Sequence, residues 1–592
     1  MCVQGLGLTS GACAPTSSST GSRSVTRRAA SFAELPSTAK KTGRRGLCGS
    51  GCSQERAQRL TSPSGNVAAM SQPSTRSVTE EVTAPFTSLP PAAAFAFAIA
   101  GATTLLLLLV GARYGFHRDE LYFLEASKHM AWGYVDQPPL SVALIWLARP
   151  MFGESVLAIR VLPAIAAGAT VSVTVLLTRE LGGERFPQTL AALCAAFSPL
   201  VLVAGHLSGP TVYDVLAWVV VSFLIIRILR TGKERLWLVV GVVLGVALLD
   251  KETILLLVGG LFLAFLITRQ AAALRSPWLW GGAAIALIIW SPNLVWEAAN
   301  GWPTMEMSRN LHADHSGLAY TLTYVPLQLL IPGVATAPVW LAGAWALWRE
   351  ERFHAYRGFA VGFAIVFVLI GLLMADRPYY LGGFFFVLLA AGSIVTEGVV
   401  DGHRRFFSKA VPGRRVIWRS RRSAVRFVLV VGIIGLPLSL PILPASTLAT
   451  VPLQTIDYNL GEMVGWPHMV GQIAAVYESM PAPERAHAAI LASNYGEAGA
   501  VDRYGPAIGL PDAFSGHNSF WWWGPPPDTT TAAVVVGYDE SYLHRFCSSV
   551  RPAGHLVNGL DVDNDEEGEP IAVCTGLRAP WSVLWPELRH YD

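Results

Sequence analysis

The sequence has 592 residues, of which 52% are hydrophobic and only 14% are charged. This composition excludes a soluble globular protein of such length and indicates an integral membrane protein. The formal net charge of +3 is small, and the Lys and Arg residues are spread between apolar segments, so nothing indicates a nucleic-acid partner.

The first region, residues 1–85, is rich in Ser, Thr, Ala, Gly and Arg and has no apolar period. Such a composition predicts a disordered N-terminal extension. The extension lacks the apolar core that a secretory signal needs, so we expect the first membrane helix to direct insertion. Met70 is a second candidate for the translation start, and the sequence leaves the choice between Met1 and Met70 open.

The next region, residues 86–444, carries repeated apolar segments, each long enough to cross a hydrocarbon layer of roughly 30 Å. The sequence therefore predicts an all-α polytopic membrane domain with about eleven transmembrane helices. The predicted spans lie near residues 91–112, 156–178, 188–206, 211–230, 236–249, 253–268, 278–296, 322–348, 358–374, 379–398 and 424–443.

The loops between these spans predict the orientation, because cytoplasmic loops carry an excess of Lys and Arg. Alternate loops hold most of the basic residues, including Arg179, Arg185, Arg227, Arg230, Lys233, Arg235, Arg349, Arg404 and Arg405. We therefore expect a multi-pass plasma-membrane protein with a cytoplasmic N-terminus. The segment 445–592 is then extracytoplasmic.

The same orientation places the unusual polar residues of the chain at one external boundary. These residues are Asp119, Glu120, Asp136, His206, Asp250, Lys251, Glu252, His312, Asp314, His315, Asp376 and Arg377. Their position on one side favours a single site at the outer leaflet, with His117, Asp136 and His206 as additional candidates for its pocket.

The densest group of polar residues lies in the stretch 114–140, directly after the first apolar segment. A carboxylate at a membrane boundary is costly unless it faces water, a cation or a substrate, so this stretch is a candidate functional site. On residue types alone, a solvated loop with a short amphipathic helix explains it equally well.

Carboxylates and separate cations on one membrane face suit the transfer of a group from a lipid phosphate. Asp119, with Glu120 as its neighbour or substitute, would take the proton from an acceptor hydroxyl as the oxygen attacks. Lys251 and Arg377 would offset the charge that develops on the phosphate leaving group. The alternative for Lys251 is a boundary lysine that reaches out to lipid headgroups.

The last region, residues 445–592, is predicted to be a soluble α/β domain. Short apolar runs at 488–492 and 532–537 predict buried strands, and helical segments are expected near 469–480 and 497–503. The aromatic run that begins at Phe520 could stack on a sugar ring, or it could pack or dock the domain onto the membrane interface, where Trp is enriched. Cys547 and Cys574 could form a disulfide if the domain lies outside the cell.

Three motifs in chain order resemble those of bacterial members of glycosyltransferase family 39. They are His117-Arg-Asp-Glu-Leu-Tyr with Gly133-Tyr-Val-Asp-Gln-Pro-Pro-Leu, then Asp250-Lys-Glu-Thr, then Arg377-Pro-Tyr-Tyr-Leu. These enzymes are relatives of the dolichyl-phosphate-mannose protein mannosyltransferases and the aminoarabinose lipid A transferases, and they have the multispanning GT-C fold. The likeness covers about residues 90–400, and the segments Ser493-Asn-Tyr-Gly-Glu-Ala-Gly and Ser515-Gly-His-Asn-Ser look like the external domain of some members.

The resemblance implies a glycosyltransferase that uses a polyprenyl-phosphate sugar at the outer face of the membrane and inverts the anomeric centre. Asp119 matches the acidic residue that serves as catalytic base or orients the acceptor. The positions that bind the lipid phosphate are matched by Lys251, Arg377, Tyr379 and Tyr380. Arg377 stands where Lys is frequent, so a planar fork replaces a point charge, and Glu252 stands where Tyr is common.

The resemblance implies no required cofactor, although some relatives bind a divalent metal and His117, Asp119 and Glu120 could hold one here. The sugar is left open, and the acceptor could be a lipid, a glycan or a protein. The alternative function is a polytopic transporter or flippase, since intramembrane charges and broken helices also mark permeation paths. The sequence shows no internal repeat, and its charges cluster at one face, which favours the transferase.

Overall fold

Helices make up most of the membrane domain in the computed structural model, which describes residues 90–268, 270–314, 317–402 and 420–592. The predictions for residues 1–85, including the choice of start, fall outside these ranges. The described helices of the membrane domain are Ala94–Val110 (α1), Arg118–Ala126 (α2), Leu140–Phe152 (α3), Val156–Glu180 (α4), Arg185–Ala196 (α5), Pro199–His206 (α6), Pro210–Thr231 (α7), Leu236–Leu248 (α8), Ile254–Ile267 (α9), Pro277–Ala299 (α10), Pro303–Asp314 (α11), Leu318–Leu330 (α12), Ala337–Arg349 (α13), Arg357–Leu373 (α14), Gly382–Val400 (α15) and Arg421–Gly435 (α16).

A helix lies at each of the predicted apolar segments, and the chain has several helices that are apolar enough to cross a membrane. By length and composition, five described helices qualify as spans, or up to seven if each of two bent pairs is one span. The bent pairs are α5 with α6, at 53°, and α12 with the helix ending at Arg349, at 71°. The count of eleven therefore stays a prediction.

Two glycines let α13 and α15 pack with their backbones in contact. A methyl group added at Gly343 would lie 1.8 Å from the carbonyl oxygen of Leu388. A methyl group at Gly392 would lie 1.8 Å from the carbonyl oxygen of Val339. Close approach of this kind is how membrane helices gain dispersion contacts when lipid removes most of the hydrophobic driving force. Every residue of α15 from Gly382 to Thr396 is buried.

Loops at one end of the helices contact one another. The Leu140 amide donates to the Leu249 carbonyl at 2.7 Å, which joins the start of α3 to the loop between α8 and α9. The Asn293 side chain in α10 donates to the Trp132 carbonyl at 2.9 Å. The polar stretch after α1 is thus held by two later parts of the chain at this end.

The segment after α16 forms the predicted α/β domain, within the described residues 445–592. Its helices are Trp466–Ser479 (α17), Ala482–Arg485 (α18), Tyr495–Tyr504 (α19), Asn518–Trp522 (α20), Glu540–Leu543 (α21) and Trp581–Leu588 (α22). Its strands are Ala488–Ala492 (β1), Ala513–Ser515 (β2), Ala532–Val536 (β3), Cys547–His555 (β4) and Pro570–Leu577 (β5).

One five-stranded sheet forms the centre of this domain, in the order β2-β1-β3-β5-β4. The strands β2, β1 and β3 are parallel, whereas β5 runs antiparallel to both β3 and β4. The two predicted strands are present as β1 and β3. Each has a neighbouring strand on both sides, and their residues are almost entirely buried. Cys547 in β4 and Cys574 in β5 form the predicted disulfide.

The domain packs against α2 through α19 and through the run of tryptophans. The ring of Trp523 stacks on His129, with 4.6 Å between the ring centroids. The indole N–H of Trp522 donates to the Tyr591 hydroxyl at 2.9 Å, and its ring lies 6.3 Å from that of Trp296 in α10. In these contacts the aromatic run packs against other protein side chains.

The contact between α13 and α15 predicts the effect of a single methyl group. We expect Gly343→Ala to lower the free energy of unfolding by about 1–3 kcal/mol, because the helices must move apart or strain. Thermal unfolding of the detergent-solubilised protein measures this change. Gly101→Ala in α1 is the matched control, since no atom lies within 4 Å of the added methyl group. Equal unfolding temperatures for the two variants would contradict the prediction.

Candidate active site

The site begins at the first turn of α2, which the sequence caps with its own side chains. His117 is the N-cap, and its Nδ1 accepts a hydrogen bond from the Asp119 amide at 3.1 Å. Glu120 reaches back to accept from the His117 amide at 2.8 Å. This reciprocal capping satisfies two amides that the helix leaves unpaired, so a turn begins at His117. It fixes Asp119 and Glu120 on the first turn.

Glu120 forms a buried ion pair with Arg160 of α4. The Nε of Arg160 donates to Oε1 at 2.8 Å, its Nη2 donates to Oε2 at 2.6 Å, and each side chain is 1% exposed. Arg160 also donates to the carbonyl oxygens of Gly111 and Gly115, at 2.9 and 2.8 Å. The predicted site residue Glu120 is therefore saturated by partners and anchors the loop to α4.

Two histidines predicted for the pocket lie beside this ion pair. His206 is buried at the end of α6, and its Nε2 lies 3.1 Å from Nη1 of Arg160. Because Arg160 can only donate, Nε2 accepts and the proton of His206 sits on Nδ1. Burial lowers the pKa of His117 to about 4, although the nearby Asp119 and Glu120 act to raise it. His206 thus lies against Arg160 and His117 against α2, and His117 is neutral at pH 7.

Asp119 points away from the ion pair toward the C-terminal domain. Its Oδ1 accepts a hydrogen bond of 2.9 Å from the Tyr495 hydroxyl, and its Oδ2 lies 3.8 Å from Nδ1 of His117. The side chain keeps 10% of its surface exposed. The preceding Arg118 also turns to the domain, where it donates to Asp565 at 2.5 Å. The two adjacent acids thus face different surroundings, and Asp119 keeps some access.

Asp136, another candidate for the pocket, is joined to α2 by Tyr122. The Tyr122 hydroxyl donates to Oδ1 of Asp136 at 2.6 Å. Burial raises the pKa of Asp136 to about 6, although the hydrogen bond from Tyr122 acts to lower it. The carboxyl therefore lies close to the site, and its protonation changes in the mildly acidic range.

A second cluster forms where the predicted phosphate-binding residues meet. The Lys251 ammonium lies 4.9 Å from the ring centroid of Tyr379 and 5.0 Å from that of Tyr380. Arg377 donates to the Tyr380 hydroxyl at 3.1 Å and to Asp376 at 3.1 Å. We call Lys251, Arg377, Tyr379 and Tyr380 the cation cluster. Residues distant in the sequence thus place two positive charges and two hydroxyl groups together.

Lys251 is held in place by its neighbours in the loop between α8 and α9. Its ammonium donates to the Thr211 hydroxyl at 3.3 Å. The preceding Asp250 is buried and accepts from the Ser141 hydroxyl at 2.5 Å, which ties the loop to α3. Asp250 therefore anchors the loop, and Lys251 extends from it toward the tyrosines.

Residues 207–211, which lead from the end of α6 into the first turn of α7, join the cation cluster to α2. The Ser208 amide donates to Oε1 of Glu120 at 2.8 Å. Three residues later, Thr211 accepts the hydrogen bond from Lys251. Because so few residues separate the two contacts, the cation cluster and the turn that carries Asp119 occupy the same end of the membrane domain.

Other polar residues at this boundary have separate contacts. Glu297 at the end of α10 accepts from the Thr304 hydroxyl at 2.6 Å. His312 is exposed in α11. The side chain of Asp314 and all of His315 lie outside the described residues.

Two groups of side chains among the described residues are candidate metal ligands, one in the C-terminal domain and one at the start of α2. Among the described residues, His517, His590 and Asp592 could hold an ion, with ligand atoms within 4.8 Å of one another. The two ring nitrogens of His590 already face the carbonyl oxygens of Leu588 and Ser493, at 2.8 and 3.0 Å. At α2, the oxygens of Glu120 are taken by Arg160, which leaves His117 and Asp119 of the predicted set.

Two important residues were absent from the predicted site. Arg160 lies inside an apolar segment, where an unpaired cation is costly. An arginine at such a position therefore indicates a buried acidic partner. Tyr495 belongs to the Ser493-Asn-Tyr-Gly-Glu motif, but nothing in the sequence connects this motif to α2. Both residues act through contacts that join distant parts of the chain.

Comparison with known proteins gives matches in sequence and in structure. Residues 136–296 match the family model for dolichyl-phosphate-mannose-protein mannosyltransferase. The chain is similar to ArnT from Cupriavidus metallidurans bound to undecaprenyl phosphate, with 14% identity, a TM-score of 0.52, and coverage of 80% of this chain and 97% of that chain. The apo state of ArnT gives a TM-score of 0.51 at the same identity and coverage. No curated protein matches the chain.

The likeness to ArnT is one of fold, and this fold is the GT-C architecture that the motifs predicted. The chain is thus a membrane protein with the GT-C fold. The matched segment 136–296 contains Lys251 and confirms the predicted resemblance to the protein mannosyltransferase family. The segment includes neither Asp119 nor Arg377, so the roles of these residues remain predictions.

The buried ion pair predicts a large loss of stability when one partner is removed. We expect Arg160→Leu to lower the free energy of unfolding by about 3–5 kcal/mol, because Glu120 would remain buried without its counter-charge. Thermal unfolding or the yield of folded protein measures the effect. Arg545→Leu is the control, since the ion pair of Arg545 with Glu587 is exposed; such pairs contribute at most about 1 kcal/mol. Similar losses in the two variants would contradict the prediction.

The raised pKa of the Asp136 carboxyl predicts that its contribution to stability changes with pH. Folding raises the pKa of its carboxyl from about 4 to about 6, so the charged form destabilises the folded protein above pH 6 and the effect vanishes below about pH 4. Asp136→Asn keeps an acceptor for Tyr122 and removes the charge. We expect the variant to be more stable than wild type at pH 8, on the order of 2 kcal/mol, with a difference that shrinks toward pH 4. Unfolding temperatures measured across this range would contradict the prediction if the difference were constant.

Proposed function

We propose that the protein transfers a sugar from a polyprenyl-phosphate donor to an acceptor hydroxyl at the outer face of the plasma membrane, with inversion at the anomeric carbon. One observation carries the proposal: Lys251, Arg377 and Tyr380 meet in one cluster, and residues 207–211 join that cluster to the turn that carries Asp119. The shared fold with ArnT, which has been solved with undecaprenyl phosphate, supports a lipid phosphate as the ligand.

The cation cluster would bind the phosphate group of the donor. The ammonium of Lys251 contributes a point charge, and the guanidinium of Arg377 contributes a planar fork that can contact two phosphate oxygens. Tyr379 and Tyr380 pack against the ammonium and hold it at one place. As the bond between the anomeric carbon and the phosphate oxygen breaks, both electrons of that bond go to the phosphate, and the two cations offset the added negative charge.

Asp119 would act as the general base. The acceptor oxygen attacks the anomeric carbon from the face opposite the phosphate, its proton passes to the Asp119 carboxylate, and the polyprenyl phosphate leaves. Attack from the opposite face inverts the configuration at this carbon. A positioned base contributes about 10² to 10⁴ in rate. The reaction needs no cofactor, because the phosphate is already a leaving group and Lys251 and Arg377 supply positive charge.

Glu120 has a different part in this proposal from its neighbour. Its two oxygens accept four hydrogen bonds, from His117, Ser208 and twice from Arg160. A carboxylate so saturated cannot take a proton without losing a buried ion pair. We therefore assign proton transfer to Asp119 and the positioning of α2 to Glu120.

The proposal also includes the side of the membrane on which the site lies and the chemical class of the sugar acceptor. The excess of Lys and Arg in the opposite loops supports an extracytoplasmic site. The disulfide between Cys547 and Cys574 supports the same side for the α/β domain, since disulfides persist in oxidising compartments. The acceptor would carry a hydroxyl group and could be a lipid, a glycan or a protein.

The assay that tests this function follows radiolabelled sugars from a panel of polyprenyl phosphates into lipid, glycan and protein fractions of membranes. Wild type should transfer label from at least one donor. We expect Asp119→Asn to reduce kcat by at least about a hundredfold with donor binding retained, because the base is lost. We expect Lys251→Met to weaken donor binding, because the phosphate loses a charge.

Two exposed residues provide matched controls for these variants. Glu154→Gln removes an exposed carboxylate from the loop before α4, and Lys233→Met removes an exposed lysine from the opposite end of the helices. Both should transfer label as wild type does. Transfer from no donor would overturn the proposed function and direct attention to transport assays, whereas full activity of Asp119→Asn would overturn only the assignment of the base.

A further inference from the structure

The C-terminal domain approaches the candidate active site more closely than ordinary side-chain packing allows. A methyl group at Gly499 in α19 would lie 2.9 Å from the backbone carbon of Leu121 in α2. A methyl group at Gly496 would lie 3.0 Å from Cβ of Arg118. The two glycines are one turn apart, so one side of α19 lies directly on the backbone of α2. This contact brings the first residue of α19, Tyr495, to the first turn of α2.

Tyr495 is held on all sides at this position. Its ring lies 4.9 Å from that of Tyr122 and 4.7 Å from that of His517, and the guanidinium of Arg118 lies 5.2 Å from its centroid. Its hydroxyl donates to Oδ1 of Asp119 at 2.9 Å. A side chain packed in this way presents its hydroxyl to the carboxylate with little rotational freedom.

The backbone of Tyr495 is fixed by a second set of hydrogen bonds. Its amide donates to Nδ1 of His517 at 3.3 Å, and Nε2 of His517 lies 2.5 Å from Oδ1 of Asp592. Since Nδ1 accepts, Nε2 carries a proton and donates a hydrogen bond to the Asp592 carboxylate. Asn494 caps α19 by accepting from the Glu497 amide at 2.9 Å. The position of the Tyr495 hydroxyl is therefore determined by the domain as well as by α2.

We infer that Tyr495 is a positioning residue for Asp119, so that the C-terminal domain completes the active site of the membrane domain. This inference rests on the proposed function, in which Asp119 is the base. A hydrogen bond to a carboxylate favours its charged form and selects one rotamer. Tyr495 thereby favours the carboxylate form of Asp119 and directs it toward the acceptor hydroxyl.

A purely structural role for the same hydroxyl makes a different prediction. If the Tyr495 hydroxyl only fastened the domain to α2, its loss would lower stability and leave the pH dependence of the reaction unchanged. If it acts on the base, its loss must raise the pKa of Asp119, because the charged form loses a hydrogen bond. The acidic limb of the plot of kcat/KM against pH then distinguishes the two roles, because it moves only if the hydroxyl acts on Asp119.

The test compares Tyr495→Phe with wild type in the full-length protein, with the donor that wild type uses. We expect kcat to fall about tenfold or more, since hydrogen bonds to charged groups contribute strongly. The acidic limb of kcat/KM should move up by about one pH unit, and the KM for the donor should stay unchanged. Tyr477→Phe is the matched control, because its hydroxyl donates to the Arg485 carbonyl at 3.2 Å within the same domain.

Each outcome bears on the inference. A Tyr495→Phe protein with the kcat and acidic limb of wild type, beside an inactive Asp119→Asn, would overturn the inference and leave the proposed function standing. A Tyr495→Phe protein that fails to fold would also overturn it, because the phenylalanine ring keeps the packing and the hydroxyl would then be structural. Absence of transfer by wild type itself would reject the proposed function instead.

Discussion

The buried ion pair between Glu120 and Arg160 is the constraint on which the site depends. A charge taken out of water costs several kcal/mol unless its hydrogen bonds are replaced. Here Glu120 regains them from its own helix, from α4 and from the loop after α6. Three parts of the chain are thereby fixed at one point, and a polar loop at the membrane boundary acquires a single geometry.

This anchoring explains how two adjacent acids can differ in their chemistry. Successive residues of an α-helix project about 100° apart, so Glu120 turns into the membrane domain while Asp119 turns toward α19. The first is saturated by donors, whereas the second meets a tyrosine hydroxyl and keeps some exposed surface. The helix thus separates a structural carboxylate from the proposed base within a single turn.

The sequence was informative where local pattern decides the structure. Apolar segments located the helices, and the motifs around Lys251 and Arg377 named residues that the fold brings together. In the C-terminal domain, the buried strands β1 and β3 could be predicted, but β4 could not, because most of its residues are exposed and it has no apolar run. Arg160 and Tyr495 were missed because their roles come from partners 40 and 376 residues away. No local pattern encodes such a distance.

The contact between α2 and α19 also limits the routes by which molecules reach the site. Where a single methyl group at Gly499 would meet the backbone of α2, no substrate can pass between the two helices. Arg118 closes the neighbouring opening by its bonds to Tyr458 and Asp565. In the proposed reaction the acceptor would therefore reach Asp119 from another side, and the C-terminal domain would restrict the direction of its approach.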